Sequence, residues 1–157
     1  MRILGEAAQV VGVGLLGALL AFLLGAVPAA PEEAGACGGG PTEGAALTWV
    51  SPADARPLLG TAGVVFVDAR DRAEYRSGHV AGSVHTPVVG GVVRDGALEP
   101  LRGATTVVAY CDSSEQCARS VRLAGILTEA GFPDVRVLEG GFPAWLDAGY
   151  PAEAGEH

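Results

Sequence analysis

Two short, uninterrupted apolar runs constrain the fold of this chain more than any other feature. Gly63–Val67 and Thr105–Tyr110 contain no charged residue and show no alternation of apolar and polar side chains. Runs of this length and kind are typical of strands that are buried on both faces. When such strands alternate with helical segments, they predict a parallel sheet covered by helices on both sides.

The segments around these two runs complete an alternating pattern of strands and helices. Ser51 and Pro52 supply an N-cap and a proline at the first helical position. Gly131 stands where a helix-ending glycine belongs. The further predicted strands are Leu47–Val50, Ser83–Val89 and Val135–Leu138, and the predicted helices are Ser51–Leu59, Arg70–Arg76, Ala118–Ala130 and a last one carrying Trp145.

The N-terminal segment is uncharged from Ala7 to Pro31, and Val10–Val27 is wholly apolar. Roughly 20 such residues span the hydrocarbon core of a bilayer, so a retained membrane helix through residues 7–27 is predicted. A signal peptide cleaved near Ala29 and a buried core helix are the alternatives. The predicted organisation is an anchor or signal at 1–31, a flexible Pro/Gly-rich linker at 32–46, one domain at 47–151 and a tail at 152–157.

Charge and cysteine content exclude several functions. The 157-residue chain has a net charge of −8, and all ten of its basic residues are arginine. Without a basic cluster, nucleic-acid binding is not expected. Three cysteines, Cys37, Cys111 and Cys117, show no Cys-x-x-Cys spacing and no neighbouring His, so neither a metal site nor a cofactor is predicted.

Reactive groups follow the two buried strands directly. Asp68-Ala69-Arg70 follows the first strand, and Cys111 follows the second. In an open parallel sheet, functional groups collect at these carboxyl ends. A cysteine between a strand and a helix N-terminus has backbone N–H groups and the helix dipole beside it, which favours the thiolate form. Asp112 and Glu115 oppose this effect with negative charge.

Three separated motifs in this region resemble the rhodanese family. Val67–Ser83 contains the Asp-x-Arg and Glu-(aromatic)-x-x-Gly-His-(aliphatic)-x-Gly pattern, and Pro87 occupies the position of the usual proline. Leu138–Trp145, followed by Gly149-Tyr150-Pro151, matches the C-terminal Gly-Gly and Trp segment. The resemblance runs from about Leu47 to Pro151 and implies a rhodanese-like, doubly wound parallel sheet.

The resemblance also implies sulfurtransferase chemistry, with Cys111 carrying sulfur as a persulfide. The loop after Cys111 is then the substrate-binding loop. Its residues are Asp112, Ser113, Ser114, Glu115, Gln116 and Ala118. Four residues of the first motif are implied to be structural around the site. They are Asp68, Arg70, Glu74 and His79.

The loop departs from the usual family pattern at two positions. Gln116 stands where a basic residue is usual, and a second cysteine, Cys117, follows it, so the next basic residue is Arg119. Phosphatase-like relatives need Cys-x5-Arg, and Cys117 occupies that Arg position, which argues against phosphatase activity. Cys117 is either a plain residue at the start of the helix or a resolving thiol that forms a disulfide with Cys111.

These observations predict a membrane-tethered sulfurtransferase or persulfide carrier whose domain faces the periplasm or the exterior. Its expected partners are a small sulfur-containing substrate or a thiol-bearing protein. The alternative is a non-catalytic rhodanese-fold module that binds a partner or senses redox state through a Cys111–Cys117 disulfide. A secreted domain is expected if the segment before Ala29 is cleaved.

Overall fold

A computed structural model describes residues 47–112 and 118–156. The strands are β1 (Thr48–Val50), β2 (Val64–Asp68), β3 (His79–Val80), β4 (Val84–His85), β5 (Thr106–Tyr110), β6 (Val135–Leu138) and β7 (Ala152–Glu153). The α-helices are α1 (Pro52–Ala55), α2 (Arg72–Ser77), α3 (Ala118–Glu129) and α4 (Gly141–Asp147), and 3₁₀ turns occupy Arg56–Leu58 and Glu99–Leu101.

Five strands form one parallel sheet in the order β1-β6-β5-β2-β4. The central strand β5 pairs with β2 over five residues, from Thr106 opposite Val64 to Tyr110 opposite Asp68. On its other side β5 pairs with β6. The predicted parallel sheet is therefore confirmed, and the two uninterrupted apolar runs form its central strand β5 and the neighbouring strand β2.

Each face of the sheet carries its own hydrophobic cluster. Val107 and Ala109 of β5 pack with Leu123 and Leu127 of α3. The intervening residues of β5, Val108 and Tyr110, belong to a second cluster, with Ala55 of α1 and Phe142 and Trp145 of α4. Because successive strand residues point to opposite faces, helices cover the sheet on both sides.

Helix α2 begins two residues later than the composition of Arg70–Arg76 suggests. The Asp71 side chain accepts a hydrogen bond from the Glu74 backbone N–H, at 2.9 Å, and the Glu74 carboxylate accepts one from the Asp71 N–H, at 3.1 Å. This capping box satisfies two N–H groups at the helix start and fixes the boundary at Arg72.

Two segments differ from the sequence prediction. Of the predicted strand Ser83–Val89, only Val84–His85 forms a strand of the sheet. Pro87 has no N–H to donate, and Val89 pairs instead with Val92 across a turn at Gly90 and Gly91, both of which have positive φ. Residues 152–157 were expected to be a tail, but Ala152–Glu153 pairs antiparallel with β3. The prediction of a tail was wrong because the backbone N–H and C=O groups of β3 need hydrogen-bond partners, and β7 supplies them. The residues around Ala152 do not reveal this pairing, since β3 lies far from them in sequence.

The part of the chain that the structure describes contains no helix that is both long and apolar enough to cross a membrane. The predicted anchor or signal segment at residues 1–31 and the predicted linker at 32–46 lie outside the described residues.

A buried ion pair ties the end of β2 to the next two elements. Arg70 donates to both carboxylate oxygens of Asp68, at 2.6 to 3.1 Å, and its Nη2 donates to the Gly78 carbonyl at 2.6 Å. The guanidinium also lies over the Phe142 ring, 4.4 Å from its centroid. The Asp68 side chain is 0% exposed to solvent, and the Arg70 side chain is 6% exposed.

Removing Asp68 should therefore leave a buried, uncompensated guanidinium. We expect Asp68→Ala to lower the free energy of unfolding by about 3–5 kcal/mol, measured by urea denaturation.

The chain provides a matched control with the same Asp-x-Arg spacing. Asp134 and Arg136 form an equivalent pair at 2.7 Å, but their side chains are 34% and 32% exposed. Asp134→Ala should cost less than about 1 kcal/mol, because solvent screens the pair and hydrates the remaining charge. Equal losses in the two variants would contradict a special role for the Asp68–Arg70 pair.

Candidate active site

Cys111 is the first residue after the central strand β5, and its side chain is fully buried. It belongs to the same cluster as Ala109 and Leu123, beneath α3. The thiol therefore lies at the carboxyl ends of the parallel strands, where open parallel sheets carry their functional groups.

Two groups hydrogen-bond to the Cys111 sulfur. Its Sγ donates to the Asp112 carbonyl at 2.9 Å and lies 3.2 Å from the Ser120 hydroxyl, where either group can be the donor. Ser120 is buried in the first turn of α3, and its backbone N–H also stabilises the thiolate. The N-terminal end of α3 is thus directed at the sulfur, as the order of strand, cysteine and helix suggests.

The pKa of the Cys111 thiol is nevertheless raised, not lowered as the sequence suggested. Burial is the largest cause, because a thiolate in the core loses its hydration. Hydrogen bonds from the Ser120 side chain and backbone lower the pKa, Asp112 raises it, and Arg119 lowers it. The expectation of a low pKa was wrong because the full burial of Cys111 could not be read from its neighbours in sequence.

Helix α4 holds the Cys111 backbone from the other face of the sheet. The Phe142 N–H donates to the Cys111 carbonyl at 2.8 Å. Gly141 has a φ of +59°, and a Cβ at that position would collide with the same carbonyl. A glycine at position 141 therefore lets the chain approach Cys111 closely enough for the Phe142 N–H to bond its carbonyl, and a residue with a Cβ would prevent this approach.

Arg119 bridges three elements beside the thiol. Its guanidinium donates to Glu74 of α2 at 2.8 and 3.3 Å, and it also pairs with Asp112. Asp71, at the N-cap of α2, lies within electrostatic range of the same guanidinium. One cation is therefore surrounded by three carboxylates next to Cys111.

His79 takes part in an aromatic stack at the start of β3. The Tyr75 ring lies between the rings of His79 and His85, with centroid distances of 3.8 and 4.6 Å. His79 is fully buried, its Nδ1 is 2.8 Å from the Tyr75 carbonyl, and its Nε2 is 3.4 Å from Glu153. These contacts join α2, β3 and β7.

The structure describes Cys111, Asp112 and Ala118 among the predicted catalytic and loop residues, and Ala118 is the exposed first residue of α3. Five predicted residues lie outside the described part of the chain. They are Ser113, Ser114, Glu115, Gln116 and the resolving thiol Cys117. Across 47–112 and 118–156, no group of three or more His, Cys, Asp or Glu residues could hold a metal ion.

Neither Ser120 nor the partners of Arg119 were predicted from the sequence. The available signal for Ser120 was a hydroxyl in the first turn of the helix that follows the cysteine loop. No local signal connects Arg119 to Glu74, because 45 residues separate them and only the sheet topology brings α2 beside α3.

Comparison with known proteins identifies similar sequences and folds. The rhodanese-like domain family matches residues 51–148. The thiosulfate sulfurtransferase GlpE of Pseudomonas putida is 35% identical over 109 residues, which cover 68% of this chain and 91% of that protein.

Two solved structures share the fold. A thiosulfate sulfurtransferase from Pseudomonas aeruginosa superposes with a TM-score of 0.58 at 29% identity, covering 71% of this chain and 20% of that longer chain. A Rhodopseudomonas palustris protein of unknown function, described as a possible tyrosine phosphatase, gives a TM-score of 0.54 at 30% identity, covering 68% of this chain and 85% of that one.

The contacts of Cys111 predict how substitutions shift its titration. We expect Ser120→Ala and Arg119→Gln to raise the pKa of Cys111 further, because each removes a group that stabilises the thiolate. Asp112→Asn should lower it. The measurement is the pH dependence of alkylation by iodoacetamide, in a background where Cys37 and Cys117 are serine.

In the parent protein, alkylation should increase as the pH rises through the raised pKa, because only the thiolate reacts. Glu129→Gln, at the opposite end of α3, serves as a charge control and should leave the profile unchanged. A profile that reaches its plateau well below the range of an ordinary cysteine would contradict the dominance of burial.

Proposed function

The chain belongs to the rhodanese-like domain family, and we propose that it is a sulfurtransferase in which Cys111 is the sulfur-accepting nucleophile. One observation carries the assignment of Cys111. Its sulfur lies at the carboxyl end of the central strand, 3.2 Å from the hydroxyl of Ser120 in the first turn of α3. This is the position at which a helix N-terminus stabilises the negative charge of a thiolate or a persulfide.

The proposed reaction has two steps. The Cys111 thiolate attacks the outer sulfur of the donor, the donor's S–S bond breaks, and its electron pair leaves with the departing group. With thiosulfate the leaving group is sulfite, and Cys111 holds a persulfide. An acceptor nucleophile then attacks the outer sulfur of the persulfide and regenerates the thiolate. With cyanide as the acceptor, the product is thiocyanate.

The described residues have distinct roles in this scheme. Ser120 stabilises the charged sulfur through its hydroxyl and backbone N–H. Arg119 supplies the positive charge that opposes Asp112. Phe142 and Gly141 fix the Cys111 backbone, so that the thiol keeps its position while the outer sulfur is exchanged.

We propose that residues 7–27 tether the domain to a membrane and that the domain faces the periplasm or the exterior. The uncharged stretch from Ala7 to Pro31 and the Pro/Gly-rich segment before Leu47 support this arrangement. In that setting the acceptor is a small thiol or a thiol-bearing protein. Secretion after cleavage near Ala29 is the competing arrangement.

A second candidate function is favoured by the burial of the nucleophile. A fully buried thiol with a raised pKa is typical of a structural cysteine. The domain would then be a non-catalytic binding or redox-sensing module in which Cys111 and Cys117 form a disulfide. The resolving role of Cys117 stays a prediction, since this residue lies outside the described part of the chain.

Cys111→Ser tests the proposed chemistry. We expect thiocyanate formation from cyanide and a sulfur donor to fall below about a thousandth of the parent rate, because a serine hydroxyl does not accept sulfur under these conditions. Stability should change little, since the hydroxyl can use the same Ser120 and Asp112 partners. Intact mass should show one added sulfur on the parent protein and none on the variant.

Cys37→Ser is the matched control, because this residue lies before the domain, and it should retain full turnover. Unchanged turnover in Cys111→Ser with every donor would refute the assignment. If the parent protein gains no sulfur from any donor, the non-catalytic module is favoured instead.

The tether is tested by fractionating cells that express the full chain. We expect the protein to sediment with membranes and to resist extraction by alkaline carbonate, because an apolar helix of this length stays in the bilayer. A variant lacking residues 1–31 should be recovered in the soluble fraction. A soluble parent chain that begins near Ala30 would show cleavage and not tethering.

A further inference from the structure

The positive charge beside Cys111 is already neutralised by carboxylates. Arg119 donates to Glu74 at 2.8 Å and also pairs with Asp112. Asp71 lies within electrostatic range of the same guanidinium. The guanidinium of Arg119 and the carboxylates of Glu74, Asp112 and Asp71 together carry a net charge of −2. An anionic sulfur donor that approaches the Cys111 thiol is therefore repelled.

The loop sequence supplies no cation. Between Cys111 and Arg119 the chain contains Asp112 and Glu115 but no Arg or Lys. Neighbouring arginines have other partners, and Arg72 and Arg76 of α2 pair with Glu156. Arg70 is buried against Asp68 and the Gly78 carbonyl, and Arg122 donates to the Gly91 carbonyl at 2.7 Å.

Burial of the thiol strengthens the selection by charge. Cys111 is fully buried, so a donor must lose water before its outer sulfur reaches Sγ. The cost of removing an ion from water increases steeply with its charge, and a dianion therefore loses more than a neutral or singly charged molecule. Both the field and the burial act against a dianionic donor such as thiosulfate.

We propose that the sulfur donor of this domain is an organic persulfide, R–S–SH, in preference to thiosulfate. This inference rests on the proposed function, and it departs from the substrate named for the GlpE relatives. The Cys111 thiolate attacks the outer sulfur of R–S–SH. A new S–S bond forms between Sγ and the outer sulfur, the S–S bond of the donor breaks, and its electron pair leaves with the inner sulfur as the thiolate R–S⁻. Cys111 then holds –S–SH, and no external oxidant or reductant is needed.

The test compares donors on the full-length chain in detergent. Thiosulfate, the persulfide of 2-mercaptoethanol and a persulfidated, end-blocked cysteine peptide are each supplied at equal concentration. Addition of sulfur to Cys111 is followed by mass spectrometry. We expect kcat/KM for the small persulfide to exceed that for thiosulfate by at least about tenfold at low ionic strength. The peptide arm separates a small-molecule source from a protein-borne one.

Asp112→Asn tests the electrostatic cause. The readout is the ratio of kcat/KM for thiosulfate to that for the small persulfide, because any change in thiolate fraction affects both donors and cancels. Removing one charge about 7 Å from a dianion should raise this ratio about fivefold. Added salt should raise the ratio of the parent chain in the same direction, since salt screens the repulsion.

Glu129→Gln is the matched control. It removes one exposed carboxylate at the far end of α3, about 15 Å from Arg119 along the helix, and should leave the ratio unchanged. Thiosulfate loading as fast as the persulfide at low salt, with no response of the ratio to Asp112→Asn, would overturn the inference and leave the sulfurtransferase assignment intact. Failure of all three donors to load Cys111 would overturn both.

Discussion

The pairing of β5 between β2 and β6 determines where the functional groups of this domain lie. Tyr110 is opposite Asp68, and the ladder continues one step further because the Ala69 N–H donates to the Tyr110 carbonyl at 2.9 Å. Cys111 therefore emerges level with the turn that carries Arg70. A slip of one residue would reverse every side chain of β5 and move the thiol to the other face.

The site is a compromise between a packed core and a charged nucleophile. The sheet and α3 exclude water from Cys111, which disfavours the thiolate, while Ser120 and Arg119 restore part of the lost stabilisation. Arg119 cannot act alone, because Glu74 and Asp112 share its charge. The Cys111 thiol is therefore fixed in position, but its thiolate is only partly stabilised. This balance favours sulfur donors of low charge.

Sequence patterns were sufficient for the features that depend on neighbouring residues. The two buried strands, the Ser51 cap and the position of Cys111 after β5 followed from apolar runs and capping residues. The direction of the Cys111 pKa shift did not, because burial depends on α3 packing against the sheet. The pairing of β7 with β3 was also missed. Both errors concern packing or pairing between separate elements, which a pattern of neighbouring residues does not reveal.

The same long-range pairings have a consequence for how the domain is made. β1 pairs with β6 and β3 pairs with β7, so each ladder joins segments that are roughly half the domain or more apart in the chain. Contacts of this kind are slow to form, because a long loop must close before they return any free energy. During synthesis the Cys111 thiol therefore emerges before α3 and β6, whose Leu123, Leu127 and Val135 belong to the cluster around it. Until these elements have packed, the thiol is exposed to oxidants and to other thiols.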